Sequence, residues 1–227
     1  MDMELNADFS KRVVLHADEI AWKTSPTPGV HRRMLDRIGD EVARATSIVR
    51  YDPDSAFPAH THGGGEEYIV LEGVFQDERG DFPAGSYVRN PPQSRHTPGS
   101  KPGCTILVKL WQFDPADRSN VSIDLNHAAA IREAGRPGVA VTPLFKSDKE
   151  DVRVEQWEPG ASVTIDADGG AEFFVLDGSV EEGGDTLRRH SWLRIPSTTK
   201  VSLRAGPDGA RVWIKTGHLR YAAPPAV

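Results

Sequence analysis

The strongest constraint on the fold is an internal repeat. The stretch EYIVLEG at 67–73 recurs as EFFVLDG at 172–178, which is 105 residues later, and Pro91 falls on Pro196 at the same offset. Self-similarity at a fixed offset indicates that one structural unit is written twice. We therefore expect two domains of similar architecture.

The repeat and the chain length together predict the domain boundaries. A chain of 227 residues is long enough for two ordinary domains. We expect a first domain over 1–120, a connector over 121–135 and a second domain over 136–227.

Glycine and proline punctuate the whole chain and separate short runs rich in β-branched and aromatic residues. This pattern predicts an all-β fold of many short strands joined by turns, with few short helices. One convincing helix is predicted at 125–135, with Asn126 as its N-cap and Gly135 ending it. Residues 31–42 are a weaker helix candidate and favour a loop or strand. The predicted strands are 45–51, 67–75, 86–90, 104–113, 152–157, 162–166, 172–178, 191–196, 201–205 and 211–217.

Composition excludes several classes of protein. The formal net charge of -6 argues against nonspecific nucleic-acid binding, and short pairs such as Arg32-Arg33 do not overturn it. The single cysteine, Cys104, excludes an internal disulfide and makes a reducing compartment the default. The N-terminus has no secretory pattern and no apolar run approaches the roughly 18 residues of a membrane span, so we expect a cytoplasmic protein.

The segment HTHGGGEE at 60–67 carries the most specific chemistry in the chain. Alternate side chains of a strand share a face, so His60 and His62 can reach one ion. Gly63, Gly64 and Gly65 can adopt φ > 0 and turn the chain back, which brings Glu66 near the histidines. Two imidazoles and a carboxylate are a minimal set for zinc or ferrous iron. A later segment offers a fourth donor, since a Pro-Pro bend at 91 and 92 is followed by His96.

These segments resemble the two signature motifs of the cupin family, Gly-x5-His-x-His-x3,4-Glu-x6-Gly and Gly-x5-Pro-x-Gly-x2-His-x3-Asn. The first spacing is kept by His60, His62, Glu66 and Gly73, and the second by Gly85, Pro91 and His96. Three positions depart from the motifs, namely Asp54, Gln93 and Ser100. None of these is a metal ligand in the family.

Residues 60–98 are more closely similar to the cupin domain of the ChrR anti-sigma factors, which holds zinc, and Trp22 to Val30 also look similar. The resemblance implies a jelly-roll barrel in each half, a bicupin, with His60, His62, Glu66 and His96 as metal ligands. In that family, sigma-factor binding belongs to a separate N-terminal helical domain with its own zinc ligands. This chain has no cysteine before Cys104, so we do not expect sigma-factor binding to be inherited.

Other residues near the motif have plainer interpretations. Glu67 is one residue out of phase with Glu66 and should face away from the ion, as a supporting or surface group. Tyr68 and Val70 share the face of Glu66 and suit either pocket or core. Cys104 shares one apolar face with other residues of its strand and is expected to be an inert core residue. Lys109 is on the opposite face, where a surface lysine is the default.

The second half contains a pattern that resembles the metal-binding motif, but we do not expect it to bind a metal. Asp166, Asp168 and Glu172 imitate the histidine motif only if a gap is introduced, and a solvated Gly-Asp turn is the better interpretation. Without the gap, the ligand positions fall on four apolar residues, Ile165, Ala167, Ala171 and Val201. The second domain is therefore predicted to be a degenerate cupin without metal ligands.

Two functions from different classes follow. The first is a divalent-metal-binding regulatory bicupin that senses a small ligand at an open metal position. The second is a cupin dioxygenase that uses ferrous iron on a small diketone or aromatic ketone. The sequence does not fix the metal. The resemblance places zinc first, followed by iron, nickel and manganese, and a homodimer is a further expectation because jelly-roll faces are commonly covered by pairing.

Overall fold

A computed structural model describes residues 3–40 and 42–225 and confirms the all-β class. Within these residues the chain forms 22 strands and two short 3₁₀ turns, Ala17–Glu19 and His218–Tyr221. The strands, in chain order, are β1 Glu4–Leu5, β2 Val13–His16, β3 Lys23–Thr24, β4 Val30–Ile38, β5 Arg44–Tyr51, β6 Ser55–Ala56, β7 His60–His62, β8 Glu66–Asp77, β9 Gly80–Pro83, β10 Ser86–Asn90, β11 Ser94–His96, β12 Gly99–Ser100, β13 Cys104–Leu110, β14 Val121–Asp124, β15 Ile131–Arg132, β16 Val139–Lys146, β17 Asp151–Trp157, β18 Ser162–Asp166, β19 Ala171–Glu182, β20 Asp185–Arg188, β21 Ser191–Ile195 and β22 Lys200–Thr216.

The chain divides into two compact units. The first is built mainly from Ile20–His127, and the second from Asp8–Glu19 and Ala128–Ala222. Asp8–Glu19 contributes β2, which pairs with β21 at the edge of the second unit's sheet.

The first unit contains one large antiparallel sheet with the strand order β1-β4-β5-β13-β8-β10-β14. A separate ladder joins β7 to β11, and β12 joins β6 to β8. Because side chains alternate along a strand, β5 and β13 direct one set inward. In β13 this set includes Ile106, Val108 and Leu110, which line a cavity inside the unit.

The second unit has the corresponding order β16-β17-β22-β19-β21, with β15 and β2 at its edges. The 17-residue strand β22 pairs with β18 near its start and with β17 near its end.

Strand register shows how closely the two units correspond. In the first unit Glu67 lies opposite both Arg89 and Lys109 on the neighbouring strands. In the second unit a glutamate again lies between an arginine and a lysine, and these residues are Glu172, Arg194 and Lys215. All six side chains are buried. The sequence repeat is thus also a repeat of strand order and cross-strand partners.

The cores of the two units differ in content. In the first unit, aromatic residues such as Tyr51, Tyr68 and Phe75 pack with the aliphatic face of β13. Cys104 belongs to this core as predicted, and burial raises the pKa of its thiol to about 11, which disfavours the reactive thiolate. The second unit has a larger apolar cluster, which continues into the places where the first unit has its histidines.

The predicted helix at 125–135 is wrong. The side chain of Asp124 accepts a hydrogen bond from the backbone N–H of Asn126, so Asn126 lies in a turn. The side chain of Asn126 donates to the carbonyl of Ala84. Ile131 and Arg132 then form β15, which pairs with β16. Local side-chain bonding and strand pairing together override helix propensity in this segment.

Residues 31–42, the weaker helix candidate, include most of strand β4. Their apolar spacing is irregular because the ladder with β5 has a bulge at Leu35.

No helix in the described part of the chain is long and apolar enough to cross a membrane.

Candidate metal centre

Three short strand ends bring the predicted ligands together. His60 and His62 are the two ends of β7, and His96 is the last residue of β11. These two strands pair so that His60 lies directly opposite His96. Glu66 is the first residue of β8, after the glycine turn that follows β7.

The side chains converge in this arrangement. One nitrogen of each of His60, His62 and His96 lies within 4.8 Å of the others, a grouping that could hold a metal ion. Nε2 of His62 lies 2.9 Å from Nε2 of His96. Oε2 of Glu66 lies 3.4 Å and 3.5 Å from these same two nitrogens. The four predicted residues are therefore neighbours, and their role as ligands stays a prediction.

Hydrogen bonds set two of the three imidazoles in the form that binds metal. Nδ1 of His60 lies 2.8 Å from the carbonyl of Pro58, which can only accept, so Nδ1 carries the proton. Nδ1 of His96 likewise donates to Oδ2 of Asp77 at 3.1 Å. In the neutral form of each ring, this tautomer leaves the lone pair on Nε2. Converging lone pairs repel one another, so this donor set fits a shared cation.

The pKa of His62 also favours metal binding. Burial lowers the pKa of His62, the charge of Glu66 opposes this, and the other two histidines lower it further. The neutral imidazole, which is the form that coordinates metal, is therefore favoured.

An outer group of polar residues supports the ligands. Asn90 lies opposite Glu66 on β10, and its Nδ2 donates to Oε2 of Glu66 at 3.0 Å. Arg79 donates to Oδ1 of Asn90 and to Oδ2 of Asp77, each at 2.7 Å. One guanidinium thus connects the partner of Glu66 to the partner of His96.

Asp77 is an anion in this group. Its side chain is fully buried, and burial by itself would raise its pKa. Hydrogen bonds from His96 and Arg79 outweigh burial and hold the pKa of Asp77 well below its usual range.

The three glycines after His62 are required for a different reason from the one predicted. Among its three glycines only Gly65 has a positive φ, of 78°. Gly63 and Gly64 are required for space, since a Cβ at 63 would lie 2.7 Å from the ring of Trp111 and a Cβ at 64 would overlap the same ring. Trp111 therefore packs directly on the backbone that joins His62 to Glu66.

A cavity of about 300 Å³ lies inside the first unit and reaches the candidate ligands. His60, His62 and Glu66 form part of its wall. The remaining wall is mostly apolar, and its polar members are Arg32, Arg37, Ser47, Tyr51 and Thr61. This combination of apolar walls and a few polar groups is typical of a small-molecule site.

Neighbouring residues fall where the alternation of β8 and β13 directs them. Tyr68 and Val70 are 1% exposed and belong to the core. Glu67 faces away from the histidines as predicted, but it is buried and accepts a hydrogen bond from Tyr87. The prediction of a surface lysine at 109 is wrong, because Lys109 is 1% exposed and donates to Thr46.

The positions equivalent to the ligands in the second unit are all in its apolar core, namely Ile165, Ala167, Ala171 and Val201. Glu172 is buried and lies 3.1 Å from Nε2 of His218. Asp166 accepts a hydrogen bond from the backbone of Asp168, whose side chain pairs with Arg220 at 2.9 Å. The two aspartates therefore form a turn of the kind predicted.

Sequence reasoning missed the supporting residues. Asp77 and Arg79 lie in a charged hairpin segment that looks like an ordinary solvated turn. Asn90 becomes significant only when β10 is known to pair with β8 in a register that places it opposite Glu66. Arg32 and Arg37 were missed as cavity residues because the bulge in β4 conceals the alternation of that strand.

Comparisons with known proteins concern the family and the fold. Residues 10–114 match the family model described as the ChrR Cupin-like domain. A comparison with curated protein sequences gives no significant match.

Solved structures resemble the chain over nearly its whole length. A "putative dioxygenase" from Nostoc punctiforme has a TM-score of 0.74 at 15% identity, with 96% of this chain and 87% of that chain covered. Protein YlbA from E. coli has a TM-score of 0.69 at 13% identity, with 92% of each chain covered. Oxalate decarboxylase from Bacillus subtilis has a TM-score of 0.63 at 10% identity, with 94% and 79% covered. Identities this low show the fold alone. Residues 10–114 are therefore similar to the ChrR Cupin-like domain, and the chain shares its fold with these solved structures.

Proposed function

We propose that the chain is a bicupin that binds one divalent metal ion through His60, His62, Glu66 and His96, and that a small molecule in the adjoining cavity binds at the open position of this ion. The observation that carries this proposal is the convergence of three ring nitrogens within 4.8 Å beside the carboxylate of Glu66. The shared strand order and buried cross-strand partners support the bicupin assignment.

The donor set suits several metals. Three imidazoles and one carboxylate leave a divalent ion with net positive charge, and when bound it supplies Lewis acidity or, as ferrous iron, oxidative chemistry. The resemblance to the ChrR cupin favours zinc. The B. subtilis oxalate decarboxylase has Mn(II) centers, so manganese belongs among the metals to be tested.

The protein's own groups favour binding over proton transfer. Apart from the candidate ligands, Tyr51 is the one titratable neutral group that lines the cavity in the described part of the chain. Burial and then the charge of Glu66 raise the pKa of Tyr51, so its hydroxyl keeps its proton. Tyr51 can donate a hydrogen bond to an occupant but is a poor general base. We therefore place metal-dependent ligand binding, in a regulatory role, first.

A cupin dioxygenase is the second candidate, and the apolar walls favour it. Val49, Ile106 and Val108 surround the space beside the ligands with hydrocarbon, which excludes water and suits a small diketone or aromatic ketone.

Metal analysis tests the proposal directly. Protein purified without a metal-binding tag should contain about one divalent ion per chain by elemental analysis, and His62→Ala should lose it. His127→Ala is the matched control, because the His127 side chain is 85% exposed and bonds to Asp124. Metal content that is the same in His62→Ala and the wild type would refute the site.

Oxygen uptake separates the two candidates. The iron-loaded protein is assayed in an oxygen electrode with pentane-2,4-dione and with a phenolic ketone. Uptake that depends on substrate and disappears in His96→Ala establishes the dioxygenase. Stable zinc without uptake favours the ligand-binding role.

A further inference from the structure

Two arginines on β4 face into the metal-site cavity. Arg32 lies opposite Val49 and Arg37 opposite Ala45, and all four residues line the cavity. Arg32 and Arg37 are separated by an odd number of positions along the chain, so in a regular strand their side chains would point to opposite faces. The bulge at Leu35 adds one residue and returns Arg37 to the inner face.

Arg37 is held in place by the backbone. Its Nε donates to the carbonyl of Gly39 at 2.9 Å, and Nη2 donates to the carbonyl of Asp40. Burial lowers the pKa of Arg37, and the positive charge of Arg32 lowers it further, so the two cations act on each other. A pair of like charges inside a cavity is unfavourable unless an anion compensates it.

Arg32 is the group available to an occupant. Its guanidinium is half-buried, and within residues 3–40 and 42–225 it has no carboxylate at salt-bridge distance and no hydrogen-bond acceptor. Arginine presents N–H donors in a planar fork that matches a carboxylate.

The charge of the cavity is unbalanced. Glu66 is the one acidic residue among the described residues that line it, against two arginines. A divalent ion at the candidate site would add further positive charge. Such a cavity favours an anionic occupant.

The strand register places Arg37 away from the metal site. Arg37, Ala45, Leu110 and Glu66 form one cross-strand row over four adjacent strands. Adjacent strands are about 4.8 Å apart, so the row spans roughly 14 Å along the curved sheet. The side chains between the two ends, Ala45 and Leu110, are apolar.

We propose that the cavity binds a small organic carboxylate, with Arg32 holding the carboxylate group, Arg37 reinforcing the positive potential, and the apolar walls packing on the hydrocarbon body. The metal site faces the same molecule. This inference rests on the proposed metal site for that last contact, while the Arg32 contact can be measured independently.

The probes are acetate, succinate and benzoate, compared with uncharged benzamide and with inorganic phosphate. Binding to the metal-loaded protein is measured by titration calorimetry. At least one of the three carboxylates should bind. If benzoate binds, its affinity should exceed that of benzamide, which has the same ring without the charge. Phosphate should bind more weakly because it has no apolar body for the walls.

The decisive variant is Arg32→Gln. We expect it to weaken carboxylate binding by about tenfold or more, the effect of losing a charged hydrogen-bonded pair. Arg33→Gln removes the same charge from the next residue, whose guanidinium lies 4.2 Å from the ring centre of Trp22, and should leave binding unchanged. Circular dichroism checks that both variants fold.

The outcomes distinguish this inference from the metal proposal. Carboxylate binding that is equal in the wild type and Arg32→Gln, binding of none of the three carboxylates, or a preference for phosphate would each overturn the inference. Metal content is measured on the same samples. Wild-type protein without metal refutes the metal site, and an Arg32-dependent affinity in that protein still supports the carboxylate contact.

Discussion

Asp77 accepts a hydrogen bond from Nδ1 of His96 at 3.1 Å, on the opposite side of the ring from the Nε2 atom that faces His62. A buried carboxylate in this position fixes the tautomer and the orientation of a ligating imidazole, and makes the imidazole more basic. Arg79 binds this same carboxylate and also Asn90, the partner of Glu66. The hairpin after β8 therefore positions two of the four candidate ligands.

Asp77→Asn should weaken metal binding although Asp77 is not a ligand. The amide is neutral and can rotate its NH₂ group toward Nδ1 of His96, which would shift the ring proton to Nε2. We expect a loss of metal affinity of about 10- to 100-fold, the usual effect of removing such a partner. Competition with a chromophoric chelator measures it.

The control for this variant is Asp81→Asn, because Asp81 is exposed and bonds only to Gln76 among the hydrogen bonds of the described residues. It removes one carboxylate from the same hairpin without touching His96. Equal metal affinity in Asp77→Asn and Asp81→Asn would show that Asp77 has no positioning role.

Gly64→Ala should damage the site through sterics. The backbone at Gly64 does not have a positive φ, so alanine meets no conformational penalty there. Its methyl group, however, would lie 2.7 Å from Cα of Trp111 and overlap the ring. We expect a loss of about 1–3 kcal/mol in the free energy of unfolding, together with lower metal content. Urea denaturation and elemental analysis measure the two effects.

Gly135→Ala separates sterics from backbone strain. Gly135 has a φ of 83° and open space around it, so alanine is strained there without any overlap. This variant should lose some stability and keep its metal. If Gly64→Ala retained full metal content, the packing of Trp111 on the turn would be irrelevant to the site.

The sequence was sufficient for features that depend on local patterns. Alternation and turn residues located nine of the 22 strands of the described residues, including the central strands of both large sheets. Motif spacing selected His60, His62, Glu66 and His96, which the fold does bring together. The wrong predictions concern residues whose environment depends on contacts between segments that are distant in sequence. Asn126 looked like a helix cap, but its side chain bonds to Ala84, which is far away in sequence.

Strand pairing and register explain most of the other wrong predictions. Lys109 looked like a surface lysine because its strand alternates, yet its outward face is buried in the unit. The inward arginines of β4 could not be recognised, because the bulge at Leu35 breaks the alternation by one residue. The repeat likewise does not reveal that Asp8–Glu19 adds a strand to the second unit.

Removing the metal should destabilise the first unit selectively. A ligand that binds only the folded state adds about 2.7 kcal/mol at a free concentration of roughly 100 times its Kd. After chelation we expect faster amide hydrogen exchange in β7 and β11, whose ladder is short and holds three of the candidate ligands. The apolar core of the second unit should be unaffected.

His62→Ala is the control for the chelation experiment, because a protein that cannot bind the ion should exchange at the same rate with and without chelator. Equal protection of β7 and β11 in metal-loaded and chelated wild type would contradict the prediction.

Glu155 in the second unit should make stability depend on pH. Burial by itself would raise its pKa, but the hydrogen bond from Arg136, the charge and hydrogen bond of Arg153 and the hydrogen bond from Trp157 lower it below 4.5. Because the folded-state pKa is depressed, the stabilisation is present above the unfolded-state pKa and is lost as the pH falls through the folded-state pKa. Glu155→Gln removes this contribution, which we expect to be about 2 kcal/mol near pH 7.

The difference in unfolding free energy between wild type and Glu155→Gln should therefore shrink as the pH falls below 4.5. Urea denaturation across this range measures it, and effects of acid on the metal site cancel because both proteins share that site. Glu181→Gln, at an exposed position of β19, should differ little from the wild type at every pH. A difference for Glu155→Gln that stayed constant into the acid range would mean that the two arginines do not stabilise the ionised carboxylate, and that shape alone holds Glu155 in place.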